Sequence, residues 1–423
     1  MQPSIDYDAP YPASPAPPPD ILGHRAKSIQ RKNVIDLQGF LAAREKRDSF
    51  RQIAARLLWD SSGTPIQKYR VTHCGRSISG DGVDILRAPD GSKARFVGLT
   101  TCGSGWMCPV CSRQIAEGRR AEASAAMVQH CKGGGIAQLL TLTFSHYADE
   151  PLASMLEKFD KARQSFKNCV TYKKILGKKG GAGCIGAITA LEVTYSKMNG
   201  WHPHVHMILF SRRNVLPDEH DRLRAEWVRI LLKSGLSSRA QLNDLLDRAF
   251  DLRDGQNAAE YITKYDREES WGFSSELTRA HSKEWDDRGH YKPFGLLELV
   301  KAGREWAGDV FVEFAEAFHG KRLLTWSPGL KAAFELQDVK DAQLAEIKAL
   351  PKDEFVGRLT PAQWKIVMDR GARHDVLRYA AACCSGRSQD DLDDFIRYLE
   401  RKPKTRRGWF VQKSDGCVPD VYH

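Results

Sequence analysis

The pattern of hydrophobic and polar positions predicts three strands near the middle of the chain. Residues 137–144, 184–195 and 204–210 are short apolar runs that contain β-branched and aromatic residues. The short loop 196–201 leads directly from the second run into the third, so these two strands are expected to form an antiparallel hairpin. With helical segments between the strands, the pattern predicts an α+β fold and leaves its topology open.

Longer segments on both sides of these strands carry apolar residues at helical spacing. The predicted helices lie at 33–59, 112–130, 152–176, 216–250 and 258–268, and proline-broken helical patterns occupy 290–423. The beginning of the chain is rich in proline, alanine and serine and is expected to be disordered. The predicted domains are a disordered tail (1–32), a helical segment with a cysteine module (33–125), a core (126–275) and a mostly helical domain (276–423).

Three histidines stand at alternate positions of the third strand. Because every second side chain of a strand lies on one face, His204 and His206 would share a face, and His202 continues the period. Glu192 can lie opposite them on the partner strand of the hairpin, where a third metal ligand would sit. The pattern favours a metal or catalytic cluster. The alternative is a core strand that begins with exposed histidines beside a solvent-facing glutamate.

Four cysteines have the spacing of a metal site. Cys108 and Cys111 form a C-x-x-C pair, which can place two thiolates of one turn on a tetrahedral ion, and Cys102 and Cys74 can complete the set. His73 is the alternative fourth ligand. A redox disulfide in the C-x-x-C pair is the rival interpretation, but it leaves the other two cysteines unexplained. The sequence therefore predicts a closed, structural zinc site. The remaining cysteines lack ligand spacing and are expected to be ordinary thiols: Cys131, Cys169, Cys184, Cys383, Cys384 and Cys417.

Two tyrosines stand four residues apart in the predicted helix 258–268. Tyr261 and Tyr265 would therefore lie on one helical face, with Lys264 between them in sequence. Tyrosines at this spacing are usually packing residues, so the pair by itself does not indicate catalysis.

The charge balance narrows the choice of partners. The chain has 64 Lys and Arg against 53 Asp and Glu, a formal net charge of +11. That excess is suited to a polyanion, and nucleic acid is the first candidate, although a merely basic protein is the alternative. No stretch approaches the roughly 20 consecutive apolar residues of a membrane span, and the start of the chain does not have the pattern of a secretory signal. The cytoplasm is the expected location, where cysteines more often bind metal than form disulfides.

Several of these segments together resemble one known family. The chain resembles the rolling-circle replication initiators (Rep proteins) of small bacterial plasmids, within the His-hydrophobic-His (HUH) endonuclease superfamily. The resemblance covers residues from about 70 to 340 and lies in the cysteine cluster and in five short motifs. These are LTLTFSH (140–146), LEVTYSKMNGWHPHVHMILF (191–210), YITKY (261–265), PFGLL (293–297) and WSPGL (326–330).

The resemblance implies roles for the candidate residues. His204 and His206 would bind a catalytic divalent ion, Mg²⁺ or Mn²⁺, with Glu192 as third ligand and His202 as its competitor. Tyr265 would be the nucleophile, preceded by Lys264. The implied fold is a ferredoxin-like or RNA-recognition-type antiparallel sheet with flanking helices, joined to the zinc module and the helical C-terminal domain.

The sequence departs from the plasmid family at Tyr261. A glutamate often stands four residues before the nucleophile in those initiators and activates a terminating water. A tyrosine pair with a lysine before its second member resembles instead the initiators of single-strand phages and the Helitron-type transposases. Termination by Tyr261 and termination with Glu260 as a base both stay open.

The function implied by the resemblance is metal-dependent nicking and joining of single-stranded or hairpin origin DNA. It would proceed through a 5′-phosphotyrosine and would start and finish rolling-circle replication in the bacterial cytoplasm, with the host helicase and polymerase as further partners. The alternatives are a transposase or relaxase of the same chemistry, a histidine-triad nucleotide hydrolase, and a zinc-containing DNA-binding regulator without nuclease activity. The oligomeric state is not predicted.

Overall fold

The computed structural model describes residues 37–60, 62–91, 93–145, 150–253, 290–382, 389–401, 412–413 and 416–417. The chain divides into two compact units, residues 1–42 and 43–423. Of the first unit, only the opening residues of the first helix are described. Apart from those residues, everything that follows concerns the second unit.

The described elements alternate between helices and strands. The strands are β1 (Val83–Arg87), β2 (Ala94–Val97), β3 (Ile136–Leu142), β4 (Gly186–Ser196), β5 (Gly200–Ser211), β6 (Phe250–Arg253), β7 (Leu324–Trp326), β8 (Glu354–Leu359), β9 (Gln412–Lys413) and β10 (Gly416–Cys417). The helices are α1 (Leu37–Leu57), α2 (Pro109–Lys132), α3 (Leu152–Asn168), α4 (Val170–Leu176), α5 (Pro217–Ser234), α6 (Leu242–Arg248), α7 (Pro293–Lys301), α8 (Trp306–Ala317), α9 (Leu330–Ala333), α10 (Asp341–Ala345), α11 (Pro361–Asp369), α12 (Arg373–Ala382) and α13 (Gln389–Arg401). Short 3-10 turns lie at Arg70–His73 and Arg239–Gln241.

A five-stranded antiparallel sheet in the order β6-β3-β5-β4-β7 forms the centre of the fold. The hairpin of β4 and β5 pairs along its full length, from Gly186 opposite Phe210 to Ser196 opposite Gly200. The predicted hairpin and the α+β class are therefore confirmed.

The two faces of this sheet carry different cores. Val205, Met207 and Leu209 of β5 point into the larger core, which α3, α5, α7 and α8 complete. Ile208 and Phe210 point to the opposite face, where α2 covers them. Both faces are covered at this end of β5, which explains its continuous apolar run. At the other end of β5 the second face carries the polar histidines.

A second sheet joins distant parts of the chain. Its order is β2-β1-β8, with Val83 paired to Leu359. Helices α11, α12 and α13 pack on it and close a separate core. The segment between Cys74 and Cys102 contains the antiparallel pair β1 and β2. The predicted domain boundaries stay predictions. Residues 83–97 and 354–359 fall in two different predicted domains, 33–125 and 276–423, and lie together in this sheet.

Several predicted bounds differ from those observed. The helix predicted over 152–176 divides at Cys169, whose extended backbone (φ −69°, ψ 158°) ends α3 and caps α4. The helix predicted over 216–250 ends at Gly235, which is left-handed (φ 69°), a conformation that glycine adopts without steric cost. Strand β5 begins earlier than predicted and runs through Pro203. Pro203 lies outside the part of β5 that pairs with β3, so its missing N–H removes no hydrogen bond to β3.

In the described part of the chain, no helix has the length and apolar character needed to cross a bilayer.

Replacement of Leu359 tests the second core. Its side chain is fully buried on β8, so we expect Leu359→Ala to lower the free energy of unfolding by about 2–5 kcal/mol, measured by urea denaturation. Phe355 lies on the same strand with 61% of its surface exposed, so Phe355→Ala is the matched control and should cost much less. Equal losses in the two variants would contradict the packing described for β8.

Candidate metal centres

The histidine strand brings its polar side chains to the open end of one sheet face. His204 stands directly opposite Glu192 on β4, and His206 stands opposite Thr141 on β3. Because side chains alternate along a strand, His204, His206 and Ile208 share a face. Ile208 is covered by α2, whereas the two histidines lie beyond that cover. This register places a carboxylate between two imidazoles.

Glu192, His204 and His206 form a tight group. The Nε2 atoms of His204 and His206 each lie 3.1 Å from Oε2 of Glu192. The side chains are 8%, 15% and 16% exposed respectively for Glu192, His204 and His206. The ligand atoms of all three lie within 4.8 Å of one another, so they could hold one ion.

Thr141 contacts the ring nitrogen of His206 that is not directed at Glu192. Its Oγ1 lies 3.0 Å from Nδ1 of His206, on the side of the ring that faces away from Glu192. A metal at Nε2 requires the proton on Nδ1, and the threonine oxygen can accept that proton in a hydrogen bond. Contacts of this kind fix the ring orientation of a metal-binding histidine. The buried Nδ1 of His204 has no hydrogen-bond partner within the described part of the chain.

Glu192 is held in its ionised form. Burial alone would raise its pKa, but His204, His206 and Lys292 together keep the pKa of this carboxyl well below its usual value. The Lys292 ammonium forms an ion pair with the second carboxylate oxygen, Oε1. Each oxygen of Glu192 therefore has its own partners, and Oε2 is directed at the imidazoles.

His202 lies beside this group without belonging to it. Its Nε2 is 3.0 Å from Oγ1 of Thr143, and its ring centre is 5.5 Å from that of His204. The ligand atoms that cluster are those of Glu192, His204 and His206. Of the two competing third ligands, the geometry favours Glu192.

The donor set fits a divalent ion. Two imidazole nitrogens and a carboxylate oxygen suit Mn²⁺, and Mg²⁺ accepts such a site when oxygen ligands complete it. The separation of 3.1 Å between Nε2 and Oε2 is close to the edge of about 3.0 Å between adjacent ligands about 2.1 Å from an octahedral ion. Three protein ligands leave coordination positions for substrate or water.

The four predicted cysteines meet in a second, buried group. The Sγ atom of Cys74 lies 3.6 Å from that of Cys108 and 3.5 Å from that of Cys111, and Cys102 is 3.6 Å from Cys111. A disulfide would require about 2.05 Å. Four sulfurs about 2.3 Å from a tetrahedral ion lie about 3.8 Å apart, so the spacing fits a metal site. His73 is exposed and outside the group.

The local backbone explains how these thiols converge. Cys108 caps α2, and its Sγ accepts a hydrogen bond from the Cys111 N–H, so both sulfurs lie at the positive end of that helix. Burial raises the pKa of the Cys108 thiol well above its ordinary value. A buried thiolate at this position therefore requires a cation beside it, as a bound metal would provide.

Two arginines flank the cysteine group, Arg51 buried and Arg373 half-buried. Arg51 of α1 donates to the carbonyl of Cys74, and Arg373 of α12 donates to the carbonyl of Gly75. Asp48 lies 3.4 Å from Arg51 and 3.3 Å from His374. The cysteine group is therefore the point at which α1 and α12 are held against the turn that follows Arg70–His73.

The tyrosine pair and Lys264 lie outside the described residues, as does Glu260.

The sequence did not point to two residues that contact Glu192, His204 and His206, which we call the histidine group. Thr141 was included in a motif but given no role, and Lys292, which directly precedes the PFGLL motif, was not considered. The alternation of Thr141 and Thr143 on β3, beside the strand that carries the histidines, is the sequence pattern that could have identified Thr141. No local signal identifies Lys292, because its pairing joins positions 100 residues apart.

Replacement of Thr141 tests the proposed orientation of His206. We expect Thr141→Val to weaken Mn²⁺ binding about 10- to 100-fold, since the hydrogen-bond partner of the His206 Nδ1 is lost while the shape of the side chain is kept. The matched variant is Thr143→Val, which touches His202 instead and should leave Mn²⁺ binding near that of the parent. Isothermal titration calorimetry measures both. Weaker binding in Thr143→Val alone would assign the ligand role to His202.

One family model and two known proteins match the chain. A family model described as "Replication protein" matches residues 96–367, which is more than half of the chain. A "Protein rep" from Streptomyces lividans is 27% identical over 308 residues, covering 59% of this chain and 67% of that protein. A "Neomycin resistance protein" from Streptomyces cyanogenus is 32% identical over 149 residues, covering 30% of this chain and 34% of that protein. The chain thus spans about two thirds of the first relative and one third of the second. No solved structure matches the chain significantly.

Proposed function

The chain belongs to the replication protein family, and from that premise we propose that it initiates and terminates rolling-circle replication of a bacterial plasmid by nicking and rejoining one strand of origin DNA. The observation that supports this most directly is the convergence of Glu192, His204 and His206 on one face of an antiparallel sheet. This is the arrangement expected of an HUH nickase core.

The three residues would hold a catalytic Mg²⁺ or Mn²⁺. When bound, the ion would supply Lewis-acid stabilisation of the charge on the scissile phosphate. Glu192 and the two imidazoles would hold the ion at the end of the sheet face, and Thr141 would favour the tautomer of His206 that presents Nε2. The face beyond α2 is where single-stranded DNA would approach.

Tyr265 is the proposed nucleophile. Its hydroxyl oxygen attacks phosphorus, a tyrosyl ester to the 5′-phosphate forms, and the bond to the 3′-oxygen breaks. The phenolic proton passes to a base, and the departing 3′-oxygen takes up a proton to become a 3′-hydroxyl, which primes synthesis. The ester conserves the energy of the broken linkage, so the reverse attack by a 3′-hydroxyl rejoins DNA without ATP. Tyr261 would perform the second cut, and Glu260 is the alternative base for termination.

The cysteine group is proposed to hold a structural zinc ion. All four ligands are protein thiols, which is typical of closed sites without catalytic function. Its role would be to brace α1, α2 and α12 around the turn at Cys74. The net charge of +11 favours binding to the DNA backbone. The host helicase and polymerase would act on the nicked product in the cytoplasm.

A covalent adduct tests the proposal. The protein is incubated with Mn²⁺ and a pool of labelled single-stranded oligonucleotides that tile the replicon. A 3′-end label should migrate with the denatured protein, because the tyrosine is joined to the new 5′-phosphate of the downstream fragment. A 5′-end label should appear on a shorter free strand. Absence of any adduct with every oligonucleotide would refute nicking through tyrosine.

Substitution of the tyrosines separates the two termination routes. We expect Tyr265→Phe to lose nearly all adduct, since only the nucleophilic hydroxyl is removed. Tyr261→Phe should still make the first cut but accumulate multimeric strands in a replication assay. Peptide mapping of the adduct provides the check. DNA found only on Tyr265, together with normal termination by Tyr261→Phe, would transfer termination to Glu260 or water.

A further inference from the structure

Lys292 occupies a position in the histidine group that neither the proposed metal ligands nor the tyrosine pair explains. Its ammonium contacts Oε1 of Glu192, whereas the imidazoles of His204 and His206 face Oε2. An ion held by Oε2 and the two Nε2 atoms would therefore lie on one side of the Glu192 carboxylate, with the Lys292 ammonium at the other oxygen. The lysine lies at the edge of the metal position and not within it.

The backbone holds Lys292 firmly in that position. The preceding residue, Tyr291, exchanges two backbone hydrogen bonds with Tyr195 of β4, at N···O distances of 2.7 and 2.8 Å. Lys292 itself caps α7, and Pro293 begins that helix. Since Glu192 lies on the same strand as Tyr195, the two partners of the ion pair are fixed by one short piece of sheet.

Among the described residues, only part of the hydrogen-bonding capacity of Lys292 is used. An ammonium group carries three N–H donors, and Glu192 is its one partner within the described residues. The side chain is 16% exposed, so a small part of it is accessible to solvent. With a divalent ion bound, the charges of the ion, Lys292 and Glu192 sum to +2 when both histidines are neutral. Such a surplus on a half-enclosed face is suited to an anionic ligand.

We propose that Lys292 is a catalytic residue that donates a hydrogen bond to a non-bridging oxygen of the scissile phosphate. This inference rests on the proposed nicking function. Before DNA binds, the ammonium is paired with Glu192. It then opposes metal binding in two ways, because it repels the incoming cation and draws charge from the carboxylate ligand. When the phosphate is in place, one of its remaining donors reaches the substrate.

The alternative is a purely structural ion pair that neutralises buried Glu192. The two roles predict different patterns. A structural lysine, when removed, would weaken metal binding and nicking together. A lysine that contacts phosphate would, when removed, leave Mn²⁺ binding as tight as in the parent or tighter, and would slow nicking at saturating metal.

The experiment compares Lys292→Met, Lys292→Arg and a matched control, Lys331→Met. Lys331 is 15% exposed and pairs with Glu122 of α2, so it is as buried and as well paired as Lys292 but lies outside the histidine group. Mn²⁺ affinity is measured by electron paramagnetic resonance without DNA, and single-turnover nicking at saturating Mn²⁺ and DNA. For Lys292→Met we expect Mn²⁺ affinity equal to or above that of the parent and nicking about 10²-fold slower, the loss typical of one transition-state donor. Lys292→Arg should recover at least about a tenth of the parent rate, and Lys331→Met should nick as the parent does.

A modified substrate locates the contact on the phosphate. A methylphosphonate at the scissile linkage replaces one non-bridging oxygen by methyl. For one of its two diastereomers, the ratio of parent to Lys292→Met rates should fall from about 10² to near unity, because the interacting oxygen is already gone. An undiminished ratio with both diastereomers, parent-like nicking by Lys292→Met, or parallel losses of Mn²⁺ affinity and rate would each overturn the inference. Failure of the parent itself to nick would instead count against the proposed function.

Discussion

His204→Ala is expected to lower the metal-dependent nicking rate by about 10³-fold or more, and His206→Ala should do the same. Each variant removes an imidazole whose Nε2 lies 3.1 Å from the carboxylate oxygen of Glu192, so the ion would lose one of three protein ligands. Metal stabilisation of a phosphoryl transition state is worth several kcal/mol, and about 4 kcal/mol corresponds to about 10³ in rate. The measurement is single-turnover nicking of single-stranded DNA over a range of Mn²⁺ concentrations.

The controls separate chemistry from folding. His204 is partly exposed at the end of a sheet, so His204→Ala should unfold near the parent midpoint and still bind DNA. His220→Ala serves as the matched substitution, because His220 lies on α5, where it contacts Asp221 and Phe250. It should nick at the parent rate. If His204→Ala nicked at the parent rate, the assignment of the metal site would be wrong.

Cys111→Ser is expected to remove the bound structural metal and to lower the free energy of unfolding by at least about 3 kcal/mol. Structural zinc sites contribute binding free energies on the order of 10–16 kcal/mol to folding. The three cysteine ligands that remain in Cys111→Ser would retain only part of that free energy. The surroundings add to the loss. A zinc ion with four thiolates carries a net charge of −2, which would offset the guanidinium charges of Arg51 and Arg373 beside Cys74 and Gly75.

Cys131→Ser is the matched control for this prediction. Cys131 lies on the same helix, α2, near its C-terminal end and outside the cysteine group. The same substitution there should leave metal content and stability close to those of the parent. Metal content is measured by mass spectrometry of the purified protein and stability by urea denaturation. A well-folded parent that contains no metal would refute the zinc assignment.

The histidine group was predictable because its geometry is local. The hairpin of β4 and β5 joins strands that are adjacent in sequence, and the period of two places His204 and His206 on one face. Glu192 follows from the same hairpin, since register is set by a short turn. The cysteine group was predictable for a different reason, because the C-x-x-C spacing is itself the geometry of a two-ligand turn.

The remaining parts of the fold depend on contacts between distant residues. Strands β7 and β8 are short and lie among helical patterns, so the spacing of hydrophobic residues alone does not identify them. Their partners, β4 and β1, are far away in sequence. Lys292 was missed for the same reason. Its role depends on its proximity to Glu192, and a lysine before a helix is otherwise an ordinary surface residue.

The pairing of β1 with β8 has a consequence for the order in which the chain can fold during its synthesis. Strand β1 leaves the ribosome about 270 residues before β8, and at roughly 5–20 residues per second this delay lasts from about ten seconds to about one minute. Throughout that interval β2 covers one edge of β1, and the other edge remains open to pairing with another chain. Nascent chains that stall before residue 354 would carry this open edge permanently, so such fragments should aggregate or be retained by chaperones while full-length chains do not.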